Sequence, residues 1–136
     1  MSATVGLIGL GAMGAGMAQS LRRAGHAPHV FDARADAAEA FAQDGGTACA
    51  SPAALGEICH IVVSVVVNAA QTEAVLFGEQ GCAATMKPGS VFVMCSTVGP
   101  NWSAALEARL ATQGILYIDA PISGKGPPKP PARRWP

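Results

Sequence analysis

Val5-Gly6-Leu7-Ile8-Gly9-Leu10-Gly11-Ala12-Met13-Gly14-Ala15-Gly16-Met17 joins a short apolar run to a helical pattern through glycines spaced G-x-G-x-x-G. In such a loop Gly9 permits a tight turn out of a strand, Gly11 lets the backbone come close to a phosphate, and Gly14 lets the new helix pack closely on the strand. Unpaired N–H groups at the helix N-terminus then face the pyrophosphate of a dinucleotide. The candidate cradle is Gly9, Leu10, Gly11, Ala12, Met13 and Gly14. Glycines also mark turns that do no chemistry, so the loop is decided by what surrounds it.

Residues 4–8 read as a buried strand and 12–24 as a helix, with Met13, Met17 and Leu21 on one face as core positions. Gly25 stops the helix, and His26 and His29 flank a turn and carry no assigned role. Residues 29–31 form the second strand, closed by Asp32 about twenty residues past the glycines. An acid there accepts both hydroxyl hydrogen bonds of an adenosine ribose. The plainer alternative is that Asp32 N-caps the helix that begins near Ala35. Arg34 could pair with a 2′-phosphate that Asp32 would repel, so NAD is favoured, with NADP as the alternative.

Further along, residues 35–44 read as a helix, 47–49 as a short strand, and Ser51-Pro52 as the cap and first residue of a brief helix. The β-branched run 61–67 reads as a parallel strand buried on both faces. Asn68 ends it and has the form of a helix cap, with Gln71 at the third helical position. Because this strand ends at the crevice where strand order reverses, Asn68 is also a cofactor-contact candidate. Helices over 70–76 and 82–86, a strand over 90–95, a helix from Pro100 to about residue 112 and a strand over 115–118 follow. Ser96-Thr97 and Asp119-Ala120-Pro121-Ile122-Ser123-Gly124 lie at strand carboxyl ends, the hydroxyls being either caps or cofactor and substrate contacts. Alternating strands and helices predict an α/β, doubly wound parallel sheet of Rossmann type, with strand order 3-2-1-4-5-6 and every candidate loop on one edge.

Composition narrows the partners. The 136 residues suit a single core, and 50% apolar against 13% charged residues suits a sheet covered on both faces. Nine basic residues balance nine acidic ones, which excludes a basic footprint for nucleic acid and a polybasic membrane patch. The longest apolar run is too short to span a bilayer. Cys49, Cys59, Cys82 and Cys95 are scattered and form no C-x-x-C pair, and no signal-peptide pattern opens the chain. Reduced, mostly buried thiols in a cytoplasmic protein are expected, with no metal site.

Three motifs in order, Gly9-Leu10-Gly11-Ala12-Met13-Gly14, Cys95-Ser96-Thr97-Val98-Gly99-Pro100 and Asp119-Ala120-Pro121-Ile122-Ser123-Gly124, give residues 4–124 a specific resemblance to the N-terminal domain of the β-hydroxyacid dehydrogenases. That family includes 3-hydroxyisobutyrate dehydrogenase and, more distantly, 6-phosphogluconate dehydrogenase. Val65-Val66-Val67-Asn68-Ala69-Ala70-Gln71 with Val75-Leu76-Phe77-Gly78-Glu79 is most similar to its L-threonate dehydrogenase branch. The resemblance implies NAD(P)-dependent oxidation of a hydroxyl β to a carboxylate on a small hydroxycarboxylic acid, in a homo-oligomer at full length. It implies that residues 9–14 hold the pyrophosphate, Asp32 the adenine ribose, Thr97 the nicotinamide side, and Ser123 and Gly124 the substrate carboxylate. The family's proton-transferring lysine lies on a helix beyond this domain, and no residue here matches it, so no catalytic residue is expected in this chain.

After Gly124 the character changes. Lys125 stands where the family has a second glycine, and Pro127, Pro128, Pro130, Pro131 and Pro136 stop any helix or central strand. Residues 1–124 are therefore expected to form the cofactor domain. Residues 125–136 read as a proline-rich tail produced by a slip of reading frame, since proline codons read one base out of register spell the family's alanines. A helical second domain would then be cut off. Pro128-Lys129-Pro130-Pro131-Ala132-Arg133 also fits a polyproline ligand, P-x-x-P-x-R.

Overall fold

A computed structural model of the chain describes residues 4–96 and 98–120. Its strands are β1 (Val5–Ile8), β2 (His29–Phe31), β3 (Thr47–Ala48), β4 (Ile61–Ser64), β5 (Val91–Met94) and β6 (Leu116–Asp119). Between them run α1 (Ala12–Arg23), α2 (Ala35–Ala42), α3 (Pro52–Ile58), α4 (Ala69–Phe77) and α5 (Pro100–Ala111), with a 3-10 turn over Cys82–Ala84. The strands pair in parallel, in the order β3-β2-β1-β4-β5-β6, as the alternation of patterns predicts. Strand order reverses between β1 and β4, and there the helices that follow the two strands must diverge and leave a crevice.

Alternate residues of each strand feed opposite cores, the consequence of a period of two. Leu7, Val30 and Val63 pack with Ala18 of α1 and with Ala38 and Phe41 of α2. Ile8, Val62, Phe92 and Met94 pack with Leu55 of α3, Leu76 of α4, and Leu106 and Leu110 of α5. This two-sided burial accounts for the high apolar share of the chain. Helix α1 meets the sheet through its small residues Gly14 and Ala18, while Met17 and Leu21 pack at the margin and Met13 turns toward the crevice. The Met-Met-Leu stripe thus flanks the contact instead of forming it. A helix that presents small residues to a sheet can approach more closely than one that presents methionines.

The strand expected over 61–67 ends three residues early, at Ser64. Its neighbour β1 stops at Ile8, and Gly9 turns away with φ +103°, so the chain has no ladder partner past the bond from Val65 N–H to Ile8 C=O at 2.8 Å. The next groups bond elsewhere: Ser96 Oγ donates to Val66 C=O, and Val67 N–H donates to Gln71 Oε1 at 2.8 Å. The remaining helix and strand ends move by up to two residues at either end. Among the described residues no helix is long and apolar enough to cross a membrane.

Candidate functional site

Three chain segments reach the carboxyl edge of the sheet beside the strand reversal. Residues 11–14 open α1, 65–67 leave β4, and 95–96 leave β5, and together they line a cleft of about 420 Å³. A second cleft of about 460 Å³ lies at the ends of β2 and β3, with Phe31, Asp32 and Cys49 among its walls.

Gly9 and Gly14 make the tight turn and the close packing that the spacing predicts. Gly9 sits at positive φ, and a Cβ there would stand 2.6 Å from Val65 O, so turn and close approach both exclude a side chain. A Cβ on Gly14 would lie 1.7 Å from Gly9 O, inside the contact that seats α1 on the loop. A Cβ on Gly11 would meet nothing within 4 Å, because that side of the loop is open. Gly11 is also the N-cap of α1 and supplies no side-chain acceptor, and the first turn holds no acid. The first intrahelical bond of the turn is Ala15 N–H to Gly11 C=O at 2.8 Å, so the amides of Ala12, Met13 and Gly14 precede the helical ladder. A pyrophosphate fits such a turn, since free N–H groups and the positive end of the helix dipole both favour an anion there.

Asp32 closes the cradle from the end of β2. Its Oδ2 accepts from Leu10 N–H at 2.6 Å and its Oδ1 from Arg34 N–H at 2.8 Å. Arg34 Nε donates to the same Oδ1 at 3.2 Å, and Arg34 Nη2 donates to Leu10 C=O at 3.4 Å. The alternative in which Asp32 N-caps α2 does not hold: the cap position is Arg34, which makes no side-chain cap bond, and the carboxylate instead braces the glycine loop. Burial pushes the Asp32 carboxyl up, but the N–H groups of Arg34 and Leu10 and the Arg34 guanidinium outweigh it, and the net result lies below the ordinary carboxylate value.

Asn68 is the N-cap of α4: its Oδ1 accepts from Gln71 N–H at 2.9 Å, while Gln71 reaches back to Val67 N–H. Ser96 caps nothing, since its hydroxyl goes to Val66 C=O and α5 is capped by Gly99 without a side-chain bond. Thr97, Ser123 and Gly124, like the proline-rich tail, lie outside the described residues. The structure adds residues 65–67 and Cys49 to the walls, which sequence reading assigned to strand interiors. The signal that could have found them is the length of β1: a strand cannot stay paired beyond its partner's last residue.

The four cysteines are free, with Cys59, Cys82 and Cys95 buried and Cys49 half-buried. Burial pushes the thiols of Cys59 and Cys82 up to about 12, and raises those of Cys49 and Cys95 as well, so neither cleft presents a thiolate at neutral pH. Among the described residues no three His, Cys, Asp or Glu side chains come together to hold a metal.

The profile of the NAD binding domain of 6-phosphogluconate dehydrogenase matches residues 4–128. The chain belongs to this NAD-binding domain family. Within it, an L-threonate dehydrogenase of Cupriavidus necator is 55% identical over 124 residues, covering 91% of this chain and 42% of the relative. A mitochondrial 3-hydroxyisobutyrate dehydrogenase of Drosophila melanogaster is 33% identical over 123 residues, 90% of this chain and 37% of its own. The crystal structure of 3-hydroxyisobutyrate dehydrogenase from Salmonella typhimurium superposes with a TM-score of 0.85 at 36% identity, covering 91% of this chain and 43% of that one. The expected kinship with the hydroxyacid dehydrogenases, and its leaning toward L-threonate dehydrogenase, therefore holds. This NAD-binding domain spans about two fifths of the length of the relatives it matches.

Proposed function

We propose that residues 1–124 are the cofactor-holding half of an NAD-dependent dehydrogenase that oxidises a hydroxyl β to a carboxylate, on a substrate of threonate or hydroxyisobutyrate type. The 136-residue chain binds the dinucleotide and does not turn substrate over. The observation that carries this reading is the uncapped first turn of α1, open on a 420 Å³ cleft and tied through Leu10 N–H to the carboxylate of Asp32.

Each residue then has one task. The amides of residues 12–14 receive the pyrophosphate, Gly11 leaves room for it, and Gly9 and Gly14 hold the turn that aims those amides. Asp32 accepts from the adenine ribose, its low pKa keeping it ionised at neutral pH. Asn68 caps α4 near the cleft, with its side-chain NH₂ left for a further contact. Thr97 meets the nicotinamide side, and Ser123 and Gly124 the substrate carboxylate. Bound NAD supplies the hydride acceptor. The hydroxyl proton needs a base, which the resemblance places on a lysine that no residue of this chain matches. NAD is preferred over NADP because Asp32 repels a 2′-phosphate, and four unpaired thiols support a cytoplasmic reading.

One further observation supports a missing layer. Leu116 and Ile118 of β6 are 60% and 50% exposed, whereas a parallel sheet is ordinarily covered on both faces. The second reading is a non-catalytic dinucleotide module, or an inert product that binds no dinucleotide.

Titration of NAD and NADP into the purified chain, followed by assay with L-threonate and 3-hydroxyisobutyrate, separates these readings. Binding of NAD without oxidation is the expected result. Robust turnover would refute the assignment of the proton-transfer group to sequence outside this chain, and absence of any dinucleotide binding would favour the inert product.

A further inference from the structure

We propose that Ser103 is a positioning residue for the nicotinamide end of the cofactor cleft, locking the loop that leads from β5 into α5 against the carboxyl end of β6. The inference rests on the reading of that loop as the nicotinamide side. Cys95 and Ser96, the first residues past β5, stand in the cleft wall, and the loop they open runs through Gly99 into α5. Ser103 lies in the first turn of that helix, where its N–H donates to Gly99 C=O at 3.0 Å.

α5 starts on Gly99 and Pro100 with no side-chain cap bond. Val98 and Trp102 pack against the core beneath it, but apolar packing is non-directional. Ser103 supplies the direction. It is buried, and its Oγ lies 2.6 Å from Tyr117 Oη and 3.0 Å from Asp119 Oδ2. A carboxylate only accepts, so the single proton of Ser103 goes to Asp119, and Tyr117 donates its own to Ser103 Oγ. Among the described residues these two are the side-chain hydrogen bonds that join α5 to the sheet.

The tie is made at the level where both strands end. Asp119 is the last residue of β6 and pairs with Met94, the last of β5, and the next N–H, of Ala120, donates to Met94 C=O at 2.8 Å. A loop held at one end by this ladder and at the other by Ser103 is set before a ligand arrives, so binding does not have to order it. The other end of the site, the start of α1 with Asp32, shares no hydrogen bond with Ser103, Tyr117 or Asp119 among the described residues. The anchor therefore serves one half of the dinucleotide and not the other.

The test compares NAD with ADP-ribose, which lacks the nicotinamide ring, by calorimetric titration into the 136-residue chain, Ser103→Ala, Asp119→Ala and Asp119→Asn. The parent chain should bind NAD more tightly than ADP-ribose. Ser103→Ala and Asp119→Ala should each weaken NAD about two- to tenfold, the range of one lost hydrogen bond, and leave ADP-ribose within about twofold of the parent value. Asp119→Asn keeps an acceptor for Ser103 and should restore NAD binding. Asp119 is exposed, so its variants test the same tie should Ser103→Ala, at a buried position, fail to fold. Equal losses for both ligands would mean a general loosening of the domain, and no loss for either would mean that the loop needs no anchor. Each overturns the proposal, as does an Asp119→Asn no better than Asp119→Ala or a parent chain that binds the two ligands alike. Failure of the folded parent chain to bind either ligand overturns the cofactor reading itself, and this inference with it.

Discussion

Helices α1 and α4 leave the same edge of the sheet, from the adjacent strands β1 and β4, and residues 65–67 leading to α4 share a cleft with the first turn of α1, yet the two helices begin on opposite terms. α4 is closed: Asn68 accepts from Gln71 N–H, and the Gln71 side chain takes Val67 N–H in return. α1 begins on Gly11, with no side-chain acceptor and no acid in its first turn. A glycine in place of a Ser, Thr, Asn or Asp cap forgoes only a few tenths of a kcal/mol. Helices α2 and α5 also begin without a side-chain cap, so the open turn of α1 supports the proposed anion site only together with its glycine loop and the cleft it faces.

The largest effect comes from changing one glycine of the open turn and not the other. Gly14→Ala places a Cβ 1.7 Å from Gly9 O, where only backbone displacement can relieve the clash. It should cost about 3 kcal/mol or more in urea denaturation and abolish dinucleotide binding along with the seat of α1. Gly11→Ala adds the same single carbon into open space, three residues earlier. Its stability should fall by less than about 1 kcal/mol, the cost of a poorer cap residue. NAD affinity should nonetheless drop about tenfold, because the added carbon stands where the pyrophosphate approaches. If Gly11→Ala bound NAD as well as the parent chain, the open end of α1 would not be the anion site.

The same contrast explains what could be read from the sequence and what could not. The glycine spacing, the Asn68 cap, the Ser51-Pro52 start of α3 and the alternation that fixes strand order are local or periodic signals, and each reappears in place. The end of β4 is not local. Val65, Val66 and Val67 have the β propensity of the residues before them, and only the length of β1 takes them out of the sheet and into the cleft wall. Asp32 lies between these cases: its position was legible, but its bond to Leu10 N–H depends on how β2 sits beside the loop. For the same reason the role of Arg34 as a partner of both Asp32 and Leu10 had no signature in the spacing.

Asp32 gives the comparison a pH dependence. Its carboxyl is held below the ordinary value near 3.9, so its folded pKa is lower than its unfolded one. Its contribution to stability is then present in full above the unfolded pKa and is lost as pH falls through the folded pKa. NAD affinity should accordingly be flat from neutrality down to about pH 4 and decline only below it. Asp32→Asn keeps an acceptor for Leu10 N–H but removes the charge. It should weaken NAD about tenfold, spare NADP relative to NAD, and erase the acid decline. A decline in the parent chain centred near pH 6 would point instead to a histidine and away from Asp32.

The closed helix supplies the smallest and most discriminating effect. Asn68→Ala removes the acceptor for Gln71 N–H and should cost about 1 kcal/mol in thermal or urea unfolding. Asn68→Asp restores an acceptor of equal quality, so stability should return to that of the parent chain, while a negative charge now stands at the rim of the cleft. If α4 only borders the dinucleotide, as the internal use of Asn68 Oδ1 implies, that charge acts through water and should weaken NAD about twofold. A loss of tenfold or more in Asn68→Asp would mean that the side chain touches the phosphates directly. The two helices would then share the anion, and the sharp division between an open and a closed N-terminus would fail at the residue that defines it.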